Sequence, residues 1–200
     1  MRKYLVLTIT LVAALQGGIG DPRISLLLEA RGGLFRPGPE TFPQIYTDGE
    51  ILQGAAVGIG YKEAYIVARY RGFEATGQSD ITGADLLEGR AEWRQEIISL
   101  GLRSYESKPF YIELAYAIAS VEESVSTKQP GYTALNATFN TTDRQGISAA
   151  LGITLPFLLA FNLTADAEFI YIPLNESEGV GTERINLGGP ILSLGLTVVF

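Results

Sequence analysis

From Ile24 to the C-terminus the chain alternates. Bulky apolar residues hold one parity and small or charged residues the other, segment after segment. A period of two is the mark of a half-buried strand. The last segment shows it most plainly: Leu192, Leu194, Leu196, Val198 and Phe200 share one face, and Ser193, Gly195 and Thr197 the other. In the same way Phe110, Ile112, Leu114 and Tyr116 oppose Tyr111, Glu113, Ala115 and Ala117. Phe161, Leu163, Ala165 and Ala167 oppose Asn162, Thr164, Asp166 and Glu168. Eight such segments are expected, at 23–35, 51–61, 64–75, 93–105, 110–121, 146–155, 158–171 and 188–200.

Their connections alternate in length. Lys62-Glu63, the stretch from Glu106 to Pro109, and Pro156-Phe157 read as tight turns. The other four connections, near 36–50, 76–92, 122–145 and 172–187, are long and polar. Short turns at one end and long loops at the other describe an up-and-down barrel. Two places fit this layout poorly. Tyr65 and Val67 share the parity of Arg69 and Arg71, and the apolar run from Leu155 to Ala160 covers an expected turn.

The polar parity decides which face meets what. A soluble barrel hides its bulky face and wets the other, which then fills with Lys, Glu, Gln and Asn. Here the second face is mostly Gly, Ala, Ser and Thr with a few charges. That suits the narrow interior of eight strands, which side chains just fill. The bulky face therefore points at lipid. Closure also pairs every backbone N–H and C=O, which a bilayer demands of any β structure. A mean hydropathy of +0.18 agrees. The expected fold is all-β: an eight-stranded antiparallel up-and-down transmembrane barrel. Outward Tyr61, Tyr70, Phe110, Phe169, Tyr171 and Phe200, near strand ends, read as interfacial girdles.

Residues 1–20 read as a cleavable signal peptide. Arg2 and Lys3 precede an uncharged stretch from Tyr4 to Leu15, and Gly18-Ile19-Gly20 supplies the small residues before cleavage at Asp21. Twelve residues are too few to span roughly 30 Å of hydrocarbon. Residues 21–200 then form one barrel domain of net charge −9, from 13 basic and 22 acidic residues.

Sorting these charges by location gives three sets. The lumen set is Glu29, Arg31, Arg69, Arg71, Arg103, Glu113, Asp166 and Glu168, four of each sign. Charges inside a low-dielectric barrel must pair, so a mutually bonded, plugged lumen is expected. The long loops with their strand ends hold fifteen acids and six bases, the whole mature excess. At the short-turn end Asp21, Arg23, Lys62, Glu63, Glu106 and Lys108 cancel.

Several chemistries are excluded or unsupported. With no histidine and no cysteine there is no imidazole base, thiolate nucleophile, thiolate metal site or disulfide. The pair Asp166/Glu168 sits at i and i+2 on one strand face, which is a lumen position rather than an acid/base site. Gly58-Ile59-Gly60 and Gly179-Val180-Gly181 lack the strand-to-helix setting of a phosphate loop. The loops carry no ordered calcium pattern, and no basic patch suggests nucleic acid. No catalytic residue, metal or cofactor is expected.

The C-terminal Leu192-Ser-Leu-Gly-Leu-Thr-Val-Val-Phe200, alternating and ending in Phe, resembles the last strand of bacterial outer-membrane proteins. With the signal peptide, eight segments and loop asymmetry, the chain looks like the small eight-stranded barrels of the OmpA/OmpX-like superfamily. The resemblance implies the outer membrane of a Gram-negative-type bacterium. It implies contact with outer-membrane lipid and lipopolysaccharide. It also implies assembly by the barrel-assembly machinery and periplasmic chaperones, with Leu192, Leu194, Leu196, Val198 and Phe200 as the assembly signal. That superfamily includes stability and adhesion proteins, immune-evasion proteins, narrow channels and a few lipid A enzymes. The expected function is a monomeric structural or surface-interaction scaffold that meets a ligand through its acidic loops. The alternative is a narrow channel for small or apolar solutes.

Overall fold

The computed structural model describes residues 24–39, 42–48, 51–80, 88–107, 109–127, 137–158, 161–174 and 186–200. The signal peptide 1–20, Gly179–Gly181, Lys128, Arg184 and the acids Glu40, Glu50, Asp85, Glu176, Glu178 and Glu183 lie outside the described residues.

Nine strands and one short helix are present among the described residues. They are β1 (Ile24–Phe35), α1 (Phe42–Ile45), β2 (Tyr46–Asp48), β3 (Ile51–Tyr61), β4 (Ala64–Asp80), β5 (Glu88–Ser107), β6 (Phe110–Thr127), β7 (Ala137–Leu158), β8 (Phe161–Tyr171) and β9 (Gly189–Val199). Each of the eight long strands pairs antiparallel with its neighbours in sequence, skipping β2. The pairing of β1 with β9, from Leu27↔Val199 to Phe35↔Ile191, closes the barrel. Leu26 and Phe200 exchange two backbone hydrogen bonds at 3.0 and 2.9 Å beyond that ladder. No edge is left in the wall where β1, β3, β8 and β9 run beside the longer strands, so its backbone there is satisfied without water. The small β2 pairs only with the loop end of β4, at Gly77 and Thr76.

The parity holds except at the two register shifts of β7. Ile59, Ile66, Leu100, Leu102, Leu114, Leu151, Leu192 and Leu194 all point outward and are largely exposed. Such a continuous apolar belt is stable only against lipid. Outward Tyr61, Phe110, Phe157 and Phe161 ring its short-turn end, and Tyr70, Tyr116, Phe169 and Tyr171 its loop end. Phe200 is half-buried at the C-terminus.

The strands differ in reach. β1, β3, β8 and β9 have 11 or 12 residues, whereas β4 to β7 have 17 to 22. The expected loops near 76–92 and 122–145 are thus partly strand. Above the belt the parity persists but its chemistry inverts. Glu74, Thr76, Arg90, Glu92 and Arg94 face outward, while Phe73, Ala75, Ala91, Trp93 and Val121 are buried inside. A barrel leaving the bilayer meets water outside, so the apolar face turns inward there. The wall is therefore high on one side and low on the other.

Two local features have simple causes. The two-residue hairpin Lys62-Glu63 places Lys62 at φ 58°, the positive φ that tight hairpin turns require. In β7, Asp143 at φ 57° accompanies a register shift opposite Ala119 to Val121, a bulge that bends the strand above the belt. The expected turn at Pro156-Phe157 lies later, because β7 continues to Leu158. The register shifts between Pro156 and Leu158, where a missing proline N–H is tolerated. That shift turns Leu155, Pro156, Phe157 and Leu158 all outward, which explains the apolar run.

Candidate functional site

The lumen has three storeys. At the short-turn end Leu27, Ala56, Tyr65, Val67, Tyr105 and Tyr111 form an apolar floor. Tyr65 and Val67, an awkward pair on the polar parity, belong to it. The Tyr65 and Tyr105 rings meet edge-on at 5.8 Å, and Tyr105 tilts on Tyr111 at 5.4 Å.

The middle storey is ionic. All eight charged residues of the inward parity converge here, each buried or nearly so. Arg103 and Glu113 face one another across the β5–β6 ladder. The Arg103 guanidinium donates to Glu113 Oε2 at 2.8 Å and to Glu29 Oε2 at 3.0 Å. It also lies 4.3 Å from the Tyr111 ring centre. Arg69 Nη2 reaches Glu113 Oε2 at 2.8 Å, and its Nη1 reaches Glu168 Oε2 at 3.3 Å. Arg71 Nη2 grips both Glu168 oxygens, at 2.5 and 2.7 Å. Arg31 donates to Glu29 Oε2 at 2.8 Å and pairs with Asp166. Each arginine thus reaches at least one carboxylate, and Glu29, Glu113 and Glu168 are each shared by at least two arginines.

Hydroxyls complete the lattice. Tyr111 OH donates to Asp166 Oδ2 and Ser193 Oγ to Asp166 Oδ1, both at 2.6 Å. Thr197 Oγ1 donates to Glu29 Oε2 at 3.1 Å. Ser99 accepts from Arg71. These residues share the inward parity, so the alternation placed them; charge counting alone passes over them. Small residues opposite make room. A Cβ at Gly195 would lie 2.6 Å from Arg31 Cγ, so the long arginine crosses the lumen over a glycine. Similarly, a Cβ at Gly152 would sit 2.2 Å from the Tyr111 ring, which lies flat on β7. Next to the lattice lies a cavity of about 10 Å³, lined by Arg69, Arg71, Glu29 and Glu168 among others. That is about the room one water needs. Arg69 Nε, which has no hydrogen-bond partner among the described residues, belongs to an arginine lining it.

The upper storey is a second apolar core, which reasoning from charge overlooked. Phe35, Phe42, Tyr46, Leu52, Phe73, Trp93, Ile97, Ile170, Leu187 and Ile191 are buried together. Phe42 on α1 stacks on Tyr46 at 4.6 Å and meets Trp93 edge-on at 5.4 Å. The α1–β2 segment therefore packs its rings into this core. Tyr46 OH hydrogen-bonds Glu123, and burial together with that carboxylate raises the Tyr46 phenol pKa. Buried Gln95 donates to the Leu187 carbonyl at 2.8 Å, tying the β8–β9 connection to the upper core. Asn186 Oδ1 accepts from the backbone of Ile172 and Gly188. The sequence signal for this core is apolar and aromatic residues at inward parity near the loop ends of the segments.

In the C-terminal strand Leu192, Leu194 and Leu196 are exposed on the outer wall, and Val198 and Phe200 are half-exposed. Among the described residues no cluster of three acids could hold a metal ion.

No protein-family model and no curated protein sequence matches the chain. Solved structures do. Ail, the attachment invasion locus protein of Yersinia pestis, aligns with a TM-score of 0.50 at 9% identity, over 90% of this chain and all of Ail. The fold is that of the small eight-stranded outer-membrane barrels. A second Ail structure, in complex with the heparin analogue sucrose octasulfate, aligns at 0.51 and 7% identity, over 88% of this chain and 98% of Ail. Neisserial surface protein A aligns at 0.45 and 13% identity, over 91% of this chain and 100% of its own.

Proposed function

We propose that the protein is an integral outer-membrane barrel of a Gram-negative-type bacterium, sealed along its axis and working as a rigid scaffold for surface interactions through four long acidic loops. The observation that carries this reading is the stacked lumen. An ionic lattice lies between two apolar cores, with room beside it for about one water. Nothing about that interior suits solute flow, and no imidazole is present for the acid/base chemistry of barrel hydrolases. The protein is then a non-enzymatic monomer. The alternating C-terminal strand ending at Phe200 serves as its assembly signal, read after export through residues 1–20.

Ail is named for attachment and has been solved with a sulfated polyanion. In the present chain the loops and strand ends hold the whole net −9. Like charge repels a soluble polyanion at long range, so the ligand that the loops meet from solution is neutral or cationic. Planar-bilayer recording of the purified barrel tests the seal: no stable, large unitary conductance is expected, and finding one would establish the channel instead. Binding of heparin at low salt would overturn the charge argument. Loop deletion followed by cell-binding assays locates the interacting segment.

A further inference from the structure

The outer wall is not uniformly convex. Over β8, Ala165 and Ala167 make a depression between Leu192 and Leu194 on β9 and Leu151 on β7, and the groove there measures about 940 Å³. Its registers align Leu34, Leu192, Ala167 and Leu151 in one row across four strands. A second groove of about 380 Å³ shares Leu34 and Leu192 and continues over Pro190 to Arg36 and α1. The two form one path from the belt to the low rim of the wall. There β1 and β9 end while β4 to β7 continue upward. Arg36 lies two residues beyond Leu34 on the same outward parity, exposed at that rim. Arg90, Arg94 and the four lumen arginines reach carboxylates, whereas no described residue offers the Arg36 guanidinium a partner.

We propose that this path seats one phosphorylated lipid of the loop-side leaflet, of the lipid A class, with a phosphate on Arg36 and an acyl chain over Ala165 and Ala167. The proposal rests on the outer-membrane reading above. A guanidinium at head-group level, with no partner among the described residues, favours a phosphate, which it can bind through two parallel N–H donors. The apolar path beneath continues the lipid-facing wall, so an acyl chain enters it without displacing ordered water. A second copy of the chain is a poorer occupant, since it would bring two acidic loop surfaces together.

Mass spectrometry of the intact mature barrel, released from phosphatidylcholine nanodiscs containing lipid A, tests this. One lipid A per barrel is expected to survive release. Arg36→Gln should cut retention about tenfold, the worth of one charge-assisted contact. Ala167→Phe should cut it similarly, as should the gentler Ala165→Leu if the phenylalanine variant does not fold. Arg94→Gln, paired elsewhere on the wall, should leave retention unchanged. Equal retention by wild type and Arg36→Gln, equal retention of dephosphorylated lipid A, or a bare wild-type barrel overturns the proposal. So does a mass of two chains. Heat-modifiable gel mobility of each sample separates these results from failure of the barrel reading itself, because a folded barrel shows it whether or not lipid is held.

Discussion

Arg103 stands where Glu29 and Glu113 converge, and its removal strands both carboxylates in a dry interior. Breaking a buried ion pair from one side costs about 3–5 kcal/mol, whereas removing both partners costs less. Arg103→Met should therefore lower the free energy of urea unfolding in micelles by about that much, with Arg103→Met/Glu113→Leu less damaged. Equal or greater damage in the double variant would refute the shared lattice. At the loop end Tyr46 titrates differently. Its pKa is raised in the folded state above the roughly 10 of an unfolded tyrosine. The neutral phenol's stabilisation is therefore complete below pH ~10 and lost as pH rises beyond it toward the folded value. The thermal midpoint of the wild type should fall toward that of Tyr46→Phe above pH ~10, the gap being widest near neutrality. A gap constant with pH would remove the Tyr46–Glu123 bond from the account. All eight lattice residues could be picked from parity and charge sign, since both are local. Which arginine meets which carboxylate could not, because Arg31 and Asp166 are 135 positions apart in the chain.

Each strand is one continuous alternation that passes through two solvents. Within the belt a leucine faces outward; above it, on β5, Arg94 and Glu96 occupy the same face as Ile98 and Leu100. Leu151, outward and 65% exposed in the belt, should not tolerate charge. Leu151→Arg is expected to cost about 2–4 kcal/mol, as for a cation near the bilayer midplane. A folding yield in lipid equal to wild type would contradict the outward placement. On the inner face of the same strand, Gly152→Val should expel the Tyr111 ring and free Asp166 from its 2.6 Å bond. Tyrosine fluorescence and a loss of about 1–3 kcal/mol, typical of overpacking, report that change. The existence of the strands was legible because period two is a backbone property. The extra reach of β4 to β7 was less so, because polar outward residues there read as loop when burial is judged by the belt's rule.

For the whole molecule, closure predicts resistance to SDS. The membrane-extracted chain should migrate faster unboiled than boiled; identical mobilities would point to an open sheet or a soluble sandwich. Sidedness, strand number, hairpin rhythm and the neutral charge count of the lumen all follow from the sequence by itself, since each depends on spacing along the chain and the identity of a residue's near neighbours. The packing of Phe42 and Tyr46 into the upper core, the inversion above the belt and the wall groove leading to Arg36 were decided only by tertiary structure. Each joins segments far apart in sequence, from β1 and α1 to Trp93 and from Arg36 to Ala167. Periodicity states which way a side chain points. Which side chain it meets there depends on shear and closure, which no single strand encodes.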